Sequence, residues 1–147
     1  MANKIFAGPA GDYPSLAAPL VAATNIGCGF LVERSTTPTA YALSTTAATV
    51  QEQEFLVSVE TGETSGIDVN GFVLAGDTLE PIQPKSGQLV QLRFATGNNI
   101  TVLGAPVTTA AAAGRFALAA AGNKVFARAQ EIKNVTANDT LVLCRVE

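Results

Sequence analysis

A chain of 147 residues with a formal net charge of −3 and a pI near 4.9 has no bulk attraction for nucleic acid. Its 9 basic residues are scattered from Lys4 to Arg145, so they draw no phosphate-tracking stripe. The size suits one domain that buries about 68–70% of the surface its unfolded form exposes, so folding requires neither a metal nor a disulfide.

Charged residues make up 14% of the chain and apolar residues 48%, against typical values of about 25% and about 45–50%. The surface must then consist largely of Thr, Ser, Gln, Asn, Ala and Gly. Two readings fit such a surface: part of it is covered by a partner, or it is the neutral, Thr-rich exterior of a β-protein.

Residues 1–25 read as an extended arm, because Pro9, Pro14 and Pro19 alternate with Gly8 and Gly11. The arm carries Ile5, Phe6, Tyr13, Leu16, Leu20 and Val21, and of these Ile5, Phe6, Tyr13, Leu16 and Leu20 are its candidate interaction residues. An arm so apolar packs on its own domain or docks on another subunit. The same prolines and glycines interrupt any signal-peptide core, and Pro19 breaks LAAPLVAA. No apolar stretch reaches the ~20 residues of a membrane span. The expectation is a chain made in the cytoplasm, in which the Asn-x-Thr triplets at Asn99, Asn134 and Asn138 are turn chemistry.

From residue 26 to residue 147 short runs alternate with Gly, Pro, Asn and Thr. Strands are expected over Cys28–Glu33, Thr39–Leu43, Phe55–Glu60, Phe72–Leu74, Thr78–Ile82, Leu89–Phe94, Asn99–Leu103, Arg115–Leu118, Lys124–Ala129 and Thr140–Val146. Leu89–Phe94 is the clearest, with Val90, Leu92 and Phe94 on one side and Gln91 and Arg93 on the other. Thr45–Gln53 and Thr108–Ala113 hold helix formers but are expected to give a helical turn at most. About ten short strands without a long helix predict an all-β single domain, a β-sandwich or partly open β-barrel.

The closing segment, Lys124–Glu147, reads as strand, polar loop and final strand. Val142, Cys144 and Val146 share one face of the last strand, and Arg145 on the opposite face marks theirs as the core side. Cys28 and Cys144 are then two buried thiols, and a disulfide between them requires that their strands be neighbours.

Catalytic equipment is sparse. The chain has no histidine, which removes the commonest general base, nucleophile partner and metal ligand. Two distant cysteines make no zinc site, and Gly27-Cys28-Gly29 lacks the third glycine of a dinucleotide loop. Glu52 and Glu54 are expected to share a strand face, while Glu60, Glu63 and Asp68 lie in a polar loop. Such acids suit a glycosidase only beside aromatic platforms, and the chain has no Trp and 2 Tyr. Asp68 and Asn70 have calcium-loop spacing, but Gly71 comes too early and no Glu completes the loop. Asp77 and Asp139 are expected to bond backbone amides in their turns. No enzyme, metal or cofactor is expected.

One resemblance runs through the second half. GDTLEPI at Gly76–Ile82, LVQLRF at Leu89–Phe94, GAPV at Gly104–Val107, and KVFARAQE with NDTLVLCRVE resemble the small capsid decoration, or cement, proteins of tailed bacteriophages. Those proteins share a glycine-led turn before a strand pair, an apolar run ending in Ala-polar-Ala, and a turn with an acidic residue before a short terminal strand. Here Val125–Ala129 and Ala137–Thr140 take the last two places. The resemblance implies a β-rich virion protein, often a homotrimer, bound to the major capsid protein on the outer surface of an icosahedral head. Neither nucleic-acid nor membrane contact is expected, from the charge and the short apolar runs. Other virion components, whether tail, fibre or shell subunits, and a small-ligand or carbohydrate-binding β-module remain the alternatives.

Overall fold

The computed structural model describes residues 4–9, 11–35, 39–60 and 70–147. Over these residues the chain forms strands and turns and no helix, because Gly, Pro and Asn punctuate it before a helical nucleus can propagate. In chain order the strands are β1 (Phe6–Gly8), β2 (Ser15–Leu16), β3 (Leu20–Ala22), β4 (Ile26–Gly27), β5 (Leu31–Arg34) and β6 (Ala40–Leu43). There follow β7 (Leu56–Val57), β8 (Phe72–Val73), β9 (Thr78–Leu79), β10 (Ile82–Gln83), β11 (Leu89–Phe94) and β12 (Asn99–Ile100). The last are β13 (Pro106–Thr109), β14 (Phe116–Leu118), β15 (Ala127–Ala129), β16 (Lys133–Asn134) and β17 (Thr140–Val146).

Strands β11, β14, β13, β15 and β17 are hydrogen-bonded in that order, and β17 pairs back with β11, so the five close into a small ring. The β11–β17 ladder is the longest, running antiparallel from Leu89↔Arg145 to Phe94↔Thr140. The ring closes on the other side through a parallel step, Phe94↔Phe116. Alternation then sends Val90, Leu92, Phe94, Val142, Cys144 and Val146 to the core side, where all are buried. The closing segment is an antiparallel pair, with Ala127↔Val146 and Ala129↔Cys144. Phe55, Phe116 and Phe126 pack against one another with centroids 5.1–6.2 Å apart. Cys28 and Cys144 belong to this same core and are both free thiols.

The second layer is a seven-stranded sheet in the order β2-β10-β7-β5-β6-β3-β9. Its central strands are buried on both faces. The cross-strand row Leu31, Val57 and Ile82 joins the ring's core, while Val32 and Leu56, one residue along, join a second cluster with Ala22, Ile26, Tyr41, Val73 and Leu79. Two short ladders, β4 with β8 and β12 with β16, complete the pairing.

Gly114 joins the two layers: its N–H donates to Ser44 O at 2.8 Å and its carbonyl accepts from Leu31 N–H at 2.8 Å. It has φ +72°, and a Cβ there would lie 2.7 Å from Leu43 Cδ2, so only glycine suits the position.

Several expectations are corrected. Thr108 and Thr109 belong to β13 rather than to a helical turn, because pairing with β14 and β15 outweighs the weak helix propensity of TTAAAA. Thr45–Gln53 holds turns only, and Glu52 and Glu54 lie off any strand. Thr78–Ile82 is two strands, since Pro81 supplies no ladder donor and the chain switches partner there, from β3 to β2 and β7. Phe55–Glu60 and Asn99–Leu103 shorten to β7 and β12. Residues 1–25 contribute β1 to the start of β11, at Leu89 and Val90, β2 to β10, and β3 between β6 and β9. Glu63 and Asp68 lie outside the described residues.

Candidate functional site

The arm residues expected to form an interaction surface separate into two groups. Ile5 is fully buried in the main core and is corrected to a core residue: its backbone N–H donates to both Glu60 carboxylate oxygens at 3.3 Å, and its carbonyl accepts from Gln91 N–H. Phe6 is half-buried on the same core, and Leu20 packs partly on the second cluster. Tyr13 and Leu16 instead face outward, 55% and 54% exposed. The Tyr13 ring stands edge-on to Phe6, 5.1 Å between centroids, and is held in place by that contact. Partial burial of its hydroxyl, with the nearby Glu60 charge adding to the effect, raises its pKa.

Leu16 sits on β2, which ends the seven-stranded sheet and is paired, among the described residues, with β10 alone. The backbone behind it is fixed: Ala17 N–H donates to Pro81 O at 2.8 Å, and Gln88 Nε2 donates to Asp12 O at 2.6 Å. Tyr13 and Leu16 therefore flank an edge whose position is set by the fold. A sheet edge with unpaired backbone groups and exposed apolar side chains is a template for association.

A second exposed apolar group escaped the sequence reading. Val102, Leu103 and Ile132 are each more than half exposed and follow or precede the β12–β16 ladder. The strand expected over Asn99–Leu103 stops at Ile100, and Val102–Ala105 forms a turn, Ala105 N–H to Val102 O at 3.3 Å, with Gly104 at φ +84°. The glycine at position 104 was the available signal for that turn.

A cleft of about 100 Å³ lies elsewhere, lined by Cys28, Phe30, Asn70, Phe72, Arg93 and Asp139 among others. Its polar groups are tied to the framework. Arg93 donates from Nε to Cys28 O at 3.0 Å, from Nη1 to Asp139 O at 2.8 Å and from Nη2 to Asn70 Oδ1 at 3.3 Å. Burial lowers the Arg93 pKa, with the Cys28 and Asp139 charges pulling the other way.

Asp139 bonds a side chain where turn amides were expected: its carboxylate takes a two-point ion pair from Arg115, whose guanidinium also lies 5.5 Å from the Phe30 ring centroid. Asp139 has φ +66°, and its N–H donates to Phe94 O at 2.9 Å. The left-handed turn before β17 aims the carboxylate across to Arg115, the residue just ahead of β14, and not back along its own turn. Beneath, Ser58 Oγ donates to Gly27 O at 2.5 Å and accepts from Phe30 N–H. This network fixes loops to the ring and leaves no acid and base aimed at one point.

A more open groove, about 310 Å³, is bordered by Glu33, Glu52, Gln53 and Glu54. Burial would raise the Glu33 pKa, but hydrogen bonds from Thr46, Thr45 and Ser44 outweigh it and hold the carboxyl below the usual range. Those bonds, 2.6 Å from Thr46 Oγ1 and 3.0 Å from Ser44 Oγ, give Glu33 a bracing role at the end of β5. Among the described residues, no three His, Cys, Asp or Glu side chains come together to hold a metal.

No protein-family model matches the chain, and no curated protein matches its sequence significantly.

Proposed function

We propose that this protein is a structural virion subunit, a decoration or cement protein that binds the major capsid protein on the outside of an icosahedral phage head and stabilises the head. The observation that carries the reading is the exposed apolar edge: Tyr13 and Leu16 stand more than half exposed beside β2, on backbone hydrogen-bonded into the domain. Large apolar side chains held on a fixed edge gain free energy when a partner covers them. The resemblance of Gly76–Ile82, Leu89–Phe94, Gly104–Val107 and the closing segment to decoration proteins supplies the identity of that partner. The charge-poor surface is in keeping with it.

The mechanism is thermodynamic linkage. A protein that binds only the assembled shell stabilises it by the free energy of binding, repeated over many equivalent sites. The purified chain is expected to run as a homotrimer by size exclusion with light scattering. Open-ended polymers would favour a tail or shell component, and a monomer that binds a sugar would overturn the proposal.

A further inference from the structure

Asn70-Gly71 is the sole Asn-Gly pair in the sequence. Asn70 is exposed in a turn that leads into β8, and its side-chain carbonyl oxygen accepts a hydrogen bond from Arg93 Nη2 at 3.3 Å. Three conditions for intramolecular attack thus meet at one place. The amide nitrogen that follows an asparagine lies within reach of its Cγ, forming a five-membered ring. Glycine at the following position has no Cβ to hinder that closure and gives the backbone the freedom to adopt it. A fixed guanidinium on the carbonyl oxygen draws electrons from Cγ and stabilises the oxyanion that forms when Cγ is attacked. Arg93 is itself held by the Cys28 and Asp139 carbonyls, so its charge is in place before the reaction begins.

We propose that Asn70 is a site of spontaneous deamidation promoted by Arg93, which replaces the amide at position 70 of the cleft with a carboxylate. The Gly71 nitrogen bonds to Asn70 Cγ and loses its proton, while the Cγ–Nδ2 bond breaks and the amide nitrogen leaves as ammonia. Water then adds to one of the two carbonyls of the resulting succinimide and opens it, giving aspartate or isoaspartate at position 70. The net change is amide plus water to carboxylate plus ammonium. The new carboxylate stands beside the Arg93 guanidinium and turns a neutral contact into an ion pair. The isoaspartyl product also inserts a methylene into the backbone just ahead of Phe72 and Val73, which pair with Gly27 and Ile26.

The test uses the purified full-length chain, incubated in mildly alkaline buffer both folded and unfolded in urea. Peptide mapping with isoaspartate detection follows each asparagine. The folded protein is expected to convert Asn70 ahead of every other asparagine and severalfold faster than the unfolded chain does. Arg93→Gln, with its fold checked by circular dichroism, should lose that advantage, and Asn70→Gln should abolish the acidic species seen on isoelectric focusing. An Asn70 that stays an amide in the folded protein while the unfolded chain converts would overturn the proposal. Equal rates in the two states would remove Arg93 from it, since only the folded chain holds the guanidinium against the amide. The folded-versus-unfolded comparison stands even if Arg93→Gln fails to fold.

Discussion

The five-stranded ring and the seven-stranded sheet are built by different means. The ring takes all its strands from residues 89–146, and its two long members, β11 and β17, pair over six consecutive positions. The sheet draws from residues 15–83, none of its strands exceeds four residues, and two of its members come from the arm. Its central strands are nevertheless buried on both faces, with Leu31, Val57 and Ile82 in the ring's core and Val32 and Leu56 in the second cluster. The ring is specified by local alternation, whereas the sheet is specified by what surrounds it. Because the central strands serve both cores, the two layers are expected to unfold together.

The largest test of that view is removal of residues 2–25. It takes Ile5 from the main core and β3 from between β6 and β9, so the product is expected to show no cooperative urea transition. A truncated chain that still unfolds cooperatively would show that the arm is peripheral.

Next, Leu79→Ala, in the second cluster, should cost about 2–5 kcal/mol. It should shift one shared transition seen alike by far-UV circular dichroism and by Tyr fluorescence. Two separated transitions would mean that the sheet's second cluster is an independent unit.

Asp139→Ala comes third. It loses the Arg115 pair, worth about 0.2–1 kcal/mol for a partly exposed site, and places Ala in the left-handed region at about 1–2 kcal/mol. Asp139→Gly should cost less than Asp139→Ala, because it relieves the backbone term while losing the same ion pair. Equal costs in urea melts would mean that the φ of +66° is unimportant.

The smallest effect is at Glu33. Its folded pKa is depressed, so it stabilises the protein above the ordinary Glu pKa, and this contribution is lost as pH falls through the lower folded value. Glu33→Gln should therefore flatten the acid limb of the stability curve and leave its shape above neutrality unchanged. An unchanged acid limb would remove Thr46, Thr45 and Ser44 as its source.

The same contrast explains what was legible in the sequence. LVQLRF and TLVLCRV are long enough to show a period of two, and Gln91, Arg93 and Arg145 mark the outer faces, so β11 and β17 were placed with both ends correct and Val142, Cys144 and Val146 on the core side. Two-residue strands such as β2, β10 and β16 carry no period to read, because two residues cannot distinguish alternation from chance. Ile5 looked like a surface contact because an arm with three prolines gives no sign of where it lies. Its burial depends on β11, whose Val90 pairs with Phe6 from more than eighty residues away. Asp139 points to its own turn in the sequence, while its partner Arg115 lies immediately before β14, and only the parallel closure of the ring brings them together. Tyr13 and Leu16 were legible as apolar, and their exposure was not, since that depends on β2 ending the sheet.

In the proposed function, the exposed edge carrying Tyr13 and Leu16 is the surface that binds an assembled shell. The direct measurement is cosedimentation of the purified protein with phage heads that lack it, comparing wild type with Leu16→Asp. The wild type is predicted to saturate the heads at a fixed ratio and raise their melting temperature, while Leu16→Asp, folded and equally stable alone, loses most of the binding. Wild-type protein that stays in the supernatant, or Leu16→Asp that binds as well as wild type, would contradict the account.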